Sequence, residues 1–375
     1  MNFYKADGKK ILIFSLAYVP FVGGAELAVK AITDRLVDFE FDLITLRFNK
    51  KWPKLEKIGN INVYRIATPK LLFPFAAFLK AIKLHKKNNY DAIWSIMANR
   101  AGYAALFFKT FHPKVKFLLT LQEGDPESYP KSRMGFAKFF AGPLFGKIFK
   151  RADCIQAISN YLADWAKRMG AKAPIEVVPN GVHQGESLIS RTRLDGAIII
   201  TTSRLVHKNG IDILVRAVSN LKTQNLNLKL WILGGGPDKD KLRKLAQELK
   251  VEDAVEFFGH IEPEKIPDYL GKADVFVRPS RSEGLGSSFL EAMAEGLPII
   301  GTPVGGIPDF LNDGETGLFC KVDDPKDLAE KIKRLLSNDS LYKKLSQNGR
   351  ALVLKNYDWN SIANKMNIIF IKLCQ

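Results

Sequence analysis

Short apolar runs alternate with helical or loop stretches along the whole chain, and the alternation starts afresh near the middle. Ile11–Leu16, Phe41–Leu46, Val63–Ile66, Ala92–Ile96, Phe117–Leu121 and Cys154–Ile158 read as strands. Ala25–Leu36 reads as a helix with Leu27, Ala31, Ile32 and Leu36 on one side. Strand–helix alternation of this kind predicts a parallel sheet covered by helices. Lys172–Glu186 then gathers Pro174, Pro179, Asn180-Gly181 and Gly185, turn residues that place a domain boundary near residue 190. Beyond it, Ala197–Thr201, Leu228–Leu233, Val255–Phe258, Val275–Val277 and Pro298–Gly301 read as a second strand set, with helices at Ile211–Leu221, Lys239–Leu249, Lys326–Leu336 and Leu341–Leu354. The expected organisation is two similar α/β domains, 1–190 and 191–355, and a C-terminal helix over 356–375 that can return to the first domain. Ligands of such sheets bind beyond the carboxyl ends of the strands, so a cleft between two facing halves is the expected site.

Charge distinguishes the halves. The net charge is +17, and residues 1–190 hold 29 Lys and Arg against 15 Asp and Glu, whereas 191–375 hold 27 against 24. A field of that sign on the first half favours anionic partners. Cys154, Cys320 and Cys374 are odd in number and far apart, which fits a reducing, cytoplasmic setting rather than a disulfide or zinc framework. Lys9-Lys10 ahead of Ile11–Ala17 superficially matches a signal peptide, but Tyr18, Pro20 and Gly23-Gly24 interrupt the apolar region, and a first buried strand accounts for it as well. No apolar run approaches the roughly 20 residues of a membrane span.

Four elements of the second half fall in loops after strands: Arg204 with Lys208, the Gly234–Gly236 turn, Gly259-His260-Ile261, and the stretch Glu283 to Glu291. Together they offer two cations, free backbone amides and two carboxylates. Cations and amides suit a diphosphate, and carboxylates suit the hydroxyls of a ribose and a sugar. Each element alone has a blander reading: solvated charges at a helix start, a plain glycine turn, a structural histidine. A cation at a helix N-terminus opposes the macrodipole, which favours a functional Arg204/Lys208 pair. Ala292, Met293 and Ala294 suggest a buried helix, in which Glu291 needs a partner. No Gly-x-Gly-x-x-Gly or P-loop pattern follows either first strand, which leaves dinucleotide or ATP binding of those kinds without support.

Ser203-Arg204-Leu-Val-His-Lys208-Asn-Gly210, Leu233-Gly-Gly-Gly-Pro237, Phe258-Gly-His260, Glu283-Gly-Leu-Gly286 through Gly296, Gly305–Asp309 and Asp313–Gly317, with Gly23-Gly24-Ala-Glu26 and Val178-Pro-Asn-Gly181, resemble retaining glycosyltransferases of family four, the glycosyl transferases group one. The resemblance spans essentially the whole chain and implies the GT-B fold, two facing Rossmann-like domains with the donor in the cleft. It implies that Arg204 and Lys208 bind the donor diphosphate, that Glu291 binds the ribose hydroxyls, and that Gly284, Leu285, Gly286 and Ser287 hold the sugar and β-phosphate through their amides. Glu283 would lie near the transferred sugar, backbone near Ile261 would meet the base, and Gly24 would let the N-terminal loop approach the phosphates. Glu283, Arg204 and Lys208 are thus the candidate catalytic set, acting without metal or cofactor because fixed cations and amides stabilise leaving-group charge. Two positions depart from the family pattern. Lys208-Asn209-Gly210 sets the cation one residue earlier than usual, and Gln122 stands where many members have a histidine reaching the sugar, so it can hydrogen-bond but cannot be a cationic donor.

The family reads its acceptor mainly with the N-terminal domain, here the basic half. Lys70–Lys87 and Lys131–Lys150 interleave aromatics, among them Phe136, Phe139, Phe140, Phe145 and Phe149, with basic residues, a pattern suited to an anionic membrane surface. The expected partners are a nucleotide-diphosphate sugar, a glycan or lipid-linked acceptor and an anionic membrane surface, without nucleic acid, in a cytoplasmic protein peripheral at the inner face of the membrane. The alternatives are a nucleotide-sugar epimerase of similar fold and a non-catalytic membrane-docking protein.

Overall fold

The computed structural model describes residues 8–21, 23–124, 138–183, 185, 196–224 and 226–375. The chain divides into two compact units, Met1–Asn180 with Trp359–Gln375, and Gly181–Asp358. The division at Asn180 falls inside the turn-rich stretch, and the chain crosses between units a second time before Trp359.

The first unit is built on β1 (Lys9–Phe14), β2 (Phe39–Leu46), β3 (Leu55–Ile58), β4 (Ile61–Ile66), β5 (Ala92–Ile96), β6 (Lys116–Leu121), β7 (Cys154–Ala157) and β8 (Ile175–Val177). Their order is β3-β4-β2-β1-β5-β6-β7-β8, parallel throughout except for β3 against β4. Ile11 to Phe14 are wholly buried, so the apolar N-terminal run is a core strand. One face of the sheet is covered by the helices Gly24–Thr33 and Trp359–Leu373, the latter seating Phe370 against Phe39, Phe41 and Trp94. The C-terminal helix thus belongs to the first core. On Gly24–Thr33 the buried apolar positions are Ala25, Ala28, Val29 and Ile32, while Leu27 is exposed. Of the expected stripe, Ile32 and Leu36 are in the core and Ala31 packs against it, but Leu27 is not: the i, i+3, i+4, i+7 set that packs within the helix includes small alanines, which let the helix lie close to the sheet.

The opposite face carries Phe73–Asn88, Arg100–Phe111 and Lys138–Arg151. Phe145 and Phe149 are buried here and meet Trp165 with ring centroids at 6.3 and 5.2 Å. They are core residues, which removes them from the expected membrane surface; Arg133, Phe136 and the side chains of Phe139 and Phe140 lie outside the described residues.

The second unit holds β9 (Ala197–Thr202), β10 (Leu228–Leu233), β11 (Val255–Gly259), β12 (Val275–Arg278), β13 (Ile299–Gly301) and β14 (Leu318–Phe319), all parallel in the order β11-β10-β9-β12-β13-β14. Ile211–Lys222, Lys239–Glu248 and Pro325–Leu336 pack their apolar stripes into one core on this sheet. Ser287–Ala294 buries Phe289, Leu290, Ala292, Met293 and Ala294, as its apolar run requires, with Phe289 edge-on to Phe276 at 5.0 Å.

Candidate functional site

Strands β9 and β12 are neighbours whose onward connections leave to opposite sides, β9 toward β10 and β12 toward β13. Such a reversal leaves a crevice beyond the carboxyl ends, where ligands of open α/β sheets bind. The two loops at this point are Ser203–Gly210 and Pro279–Gly286, the stretches richest in candidate residues. Their backbones are joined, since the amides of Arg281 and Ser282 donate to the Lys208 carbonyl at 2.7 and 3.4 Å. The Leu205 amide donates to Gly235 O at 2.9 Å and the Gly234 amide to Gly259 O at 2.6 Å, which brings the turns after β10 and β11 to the same edge.

Two glycines explain how closely these loops approach. A Cβ on Gly210, at φ +67°, would lie 2.0 Å from the Pro279 carbonyl oxygen, and one on Gly305, at φ +57°, would lie 1.7 Å from that of Glu283. Both positions combine left-handed backbone with contact against main chain, which only glycine satisfies.

Arg281 fixes the edge from outside. Its guanidinium donates to both carboxylate oxygens of Asp212 at 2.8 and 2.7 Å, to Asp323 at 2.6 Å and to the His207 carbonyl at 2.6 Å. Burial pushes the Asp212 carboxyl up, but the Arg281 hydrogen bonds and charge outweigh it and hold the group below its ordinary value.

Arg278, the last residue of β12, organises the inside and is absent from the sequence-derived candidates. It is buried, lies over the Phe289 ring at 4.8 Å, and donates to Ser280 Oγ at 3.2 Å, Ser288 Oγ at 2.6 Å and Glu283 Oε2 at 2.5 Å. A charged residue closing the apolar run Val275-Phe276-Val277 was the available signal, since such a residue must be paired. Glu283 is thereby fixed at both oxygens, Oε1 accepting from the Gly284 amide at 2.9 Å. The next amides, of Leu285, Gly286 and Ser287, have no acceptor among the described residues, and they lead into the N-terminus of Ser287–Ala294.

Glu291 sits one helical turn further on. Burial pushes its carboxyl up to about 7, and the positive charge of Arg278 offsets this only in part. The residue keeps some open surface, and no hydrogen-bond donor among the described residues reaches its carboxylate. Arg204 is exposed, Lys208 and Ile261 are half-buried. Arg204, Lys208, Ile261, Glu283, the Gly284–Ser287 loop and Glu291 all belong to strand-end loops, or to the helix that follows one, at a single sheet edge of the second unit.

Gly24 and Gln122 belong to the first unit. Gly24 opens Gly24–Thr33, is exposed, and has nothing within 4 Å of a Cβ. Glu26 folds back on the Gly23 amide as in a capping box; burial pushes its carboxyl up and the amides partly counter this. Gln122 accepts from Asn180 Nδ2 at 3.1 Å, and Glu123 beside it accepts from the amides of Ala98 and Gln122 at 2.6 and 2.9 Å. Among the described residues no group of three His, Cys, Asp or Glu stands together as a metal site.

Comparison with known proteins decides the family. Residues 22–185 match the family described as Glycosyltransferase Family 4, and residues 188–352 match Glycosyl transferases group 1. The chain belongs to the group 1 glycosyltransferases. The chain is 30% identical to the lipopolysaccharide core biosynthesis glycosyltransferase LpsE of Rhizobium meliloti over 58% of its length and 63% of that protein's. It is 32% identical to a GDP-mannose-dependent alpha-(1-6)-phosphatidylinositol monomannoside mannosyltransferase of Mycobacterium tuberculosis, over 60% and 63%. An uncharacterized glycosyltransferase of Methanocaldococcus jannaschii is 27% identical over 97% and 98% of the two chains. Sucrose-phosphate synthase from Thermosynechococcus elongatus superposes with a TM-score of 0.83 at 23% identity, covering 97% of this chain and 99% of that one. Anabaena HepE in complex with UDP and glucose gives 0.77 at 18% identity, over 97% and 100%. The fold is GT-B, a pair of Rossmann-like units. No helix among the described residues is long and apolar enough to cross a membrane.

Proposed function

We propose that this group 1 glycosyltransferase moves a sugar from a nucleotide-diphosphate sugar to a glycan or lipid-linked acceptor, with retention at the anomeric carbon and without a metal ion. The observation that carries the reading is the edge of the second sheet, where amides at 285–287 and the Glu291 carboxylate, all without a partner among the described residues, occur together with an exposed Arg204. Glu291 accepts the ribose hydroxyls, which are the donors it lacks. The amides of Leu285, Gly286 and Ser287 take the β-phosphate and sugar. As the bond from anomeric carbon to phosphate oxygen breaks, charge grows on the diphosphate, and Arg204 and Lys208 stabilise it in place of a metal. Glu283 is a positioning group: Arg278 and the Gly284 amide hold its carboxylate, leaving further lone pairs for sugar hydroxyls. Ile261 lies against the base, while Gly24 and Gln122 serve the phosphates and sugar from the first unit. HepE is known in a complex with UDP-glucose, which supports a nucleotide-sugar donor here.

Calorimetry with UDP-, GDP- and ADP-sugars tests the reading. Arg204→Ala and Glu291→Ala are each expected to weaken the preferred donor at least about tenfold, in line with loss of a charge-assisted hydrogen bond. Unchanged affinity in both variants would refute it. A new α-glycosidic bond formed only when acceptor is present, and formed equally in EDTA, separates transfer from epimerisation, which needs no acceptor.

A further inference from the structure

Five exposed large apolar side chains of the first unit come together along two neighbouring helices. Leu71 (72% exposed), Leu72 (50%), Phe75 (57%) and Leu79 (58%) lead along Lys70–Leu72 and Phe73–Asn88, and Phe111 (69%) ends Arg100–Phe111 beside them. Ring contacts make the face continuous: Phe75 stacks on Phe107 at 5.2 Å, and Phe78 lies 6.2 Å from Phe107 and 5.3 Å from Phe111. Phe75, Leu79 and Lys83 succeed one another at four-residue spacing, so the apolar stripe passes directly into lysines along one side of the helix. Patches of this kind on a monomer mark an interaction surface.

Charge identifies the partner. From Lys70 to Gln122 the only acidic residue is Asp91, and Asp91 is already engaged by Lys9 Nζ at 2.8 Å and the Lys10 amide at 2.9 Å. Lys83, Lys86, Lys87, Lys114 and Lys116 are all exposed around the apolar residues. Next to the face lies a cavity of about 420 Å³ lined by Lys54, Lys80, Lys83, Tyr64 and Leu79, with Lys80 Nζ 4.6 Å above the Tyr64 ring. Apolar side chains that enter an acyl boundary, lysines that meet negative headgroups, and a mostly apolar groove edged by Lys54, Lys80 and Lys83 describe one complementary object. A second copy of this face would set lysines against lysines.

We propose that the face formed by Leu71, Leu72, Phe75, Leu79 and Phe111 docks the protein on an anionic lipid surface, with the Lys54/Lys80/Lys83 cavity receiving a phospholipid headgroup. This deepens the lipid-linked-acceptor reading and rests on it for its purpose, but docking itself requires no transfer activity. The mode is interfacial, with apolar insertion and electrostatic attraction acting together.

Sedimentation of the full chain with phosphatidylcholine vesicles, plain or with about one third phosphatidylglycerol, tests the proposal across a salt series. Binding is expected only to the anionic vesicles and to weaken steeply with salt. Phe75→Ser/Leu79→Ser is expected to lower binding at least about tenfold, and Lys83→Glu/Lys86→Glu by more, at roughly fivefold for each lysine charge lost. Melting temperatures should stay near that of the unaltered chain because these side chains are exposed. Equal binding to neutral vesicles, or variants that bind anionic vesicles as well as the parent, would overturn it. A dimer seen in sedimentation velocity and abolished by Phe75→Ser/Leu79→Ser would instead assign the face to a second copy. Nucleotide-sugar binding in solution, measured on the same variants, should not change; its absence from the unaltered chain would sink the transferase reading and leave docking standing.

Discussion

Replacing Arg278 by methionine tests whether the interior of the site is held by one buried cation. Methionine keeps most of the stem over Phe289 but removes the donors to Ser280, Ser288 and Glu283. Breaking a buried pair from one side strands the other charge, here Glu283, at a cost of about 3 to 5 kcal/mol. For a unit of this size each kcal/mol lowers the melting temperature by about 2 to 4 °C, so Arg278→Met should melt about 6 to 20 °C below the parent. Arg278→Met/Glu283→Gln removes both charges and should recover about 1 to 3 kcal/mol of that loss, a coupling that a double-mutant cycle reads directly. Calorimetric or fluorescence melting of the four proteins is sufficient. A single variant melting within about 2 °C of the parent, or a double variant whose loss is the sum of the singles, would show that Arg278 does not hold Glu283 in the way its contacts imply.

Four further outcomes are expected. Gly305→Ala should destabilise by more than the roughly 1 to 2 kcal/mol of a left-handed alanine, because its Cβ meets the Glu283 carbonyl, whereas Gly196→Ala, at φ +74° with open space, should cost only the conformational part; equal melting of the two would contradict the crossing. The Glu291 carboxyl has a folded pKa of about 7, above its unfolded value, so the folded state holds the proton more tightly and stability falls as pH rises between about 4.5 and 7, then levels. Glu291→Gln should thus match the parent near pH 4 and exceed it above pH 7 by at most about 3 kcal/mol, an upper bound given the residue's partial exposure, while binding nucleotide more weakly; a pH-independent difference would refute this. Asp212 has the opposite sign: its lowered pKa gives stability that is present above the unfolded value and lost as pH falls through the folded one, so Arg281→Ala should flatten the acid limb of the melting-temperature profile. Phe370→Ala, which empties the contact with Phe39, Phe41 and Trp94, should cost about 3 to 5 kcal/mol in the first unit, seen as a fall in melting temperature of the Trp94-bearing core.

Much of the fold is legible because buried parallel strands leave continuous apolar runs: β1, β2, β5, β6 and β9 to β13 can all be read from them. The short edge strands cannot be, since Leu55–Ile58 and Ile175–Val177 are only three or four residues long and partly exposed, so neither leaves a continuous apolar run. Leu27 illustrates a second limit, because periodicity marks every large apolar residue as inward and does not reveal that alanines face a closely packed sheet. In the site, glycines and charges in strand-end loops are visible by residue type, but Arg278 reads as the end of a strand and becomes meaningful only when its fork meets Ser288 ten residues on. Phe145 and Phe149 match the aromatic-basic pattern as well as Phe75 does; only burial tells core from surface.

The return of Trp359–Leu373 to the first unit also fixes an order of events at the ribosome. The segment Gly181–Asp358 is continuous, so it can close its core as soon as it has emerged. The first unit is synthesised earlier but must keep Phe39, Phe41 and Trp94 without their Phe370 cover until the last turns of helix are made. The usual vectorial sequence, N-terminal domain first, is thereby inverted for its final step, and the half that carries the exposed basic face is the half that matures last.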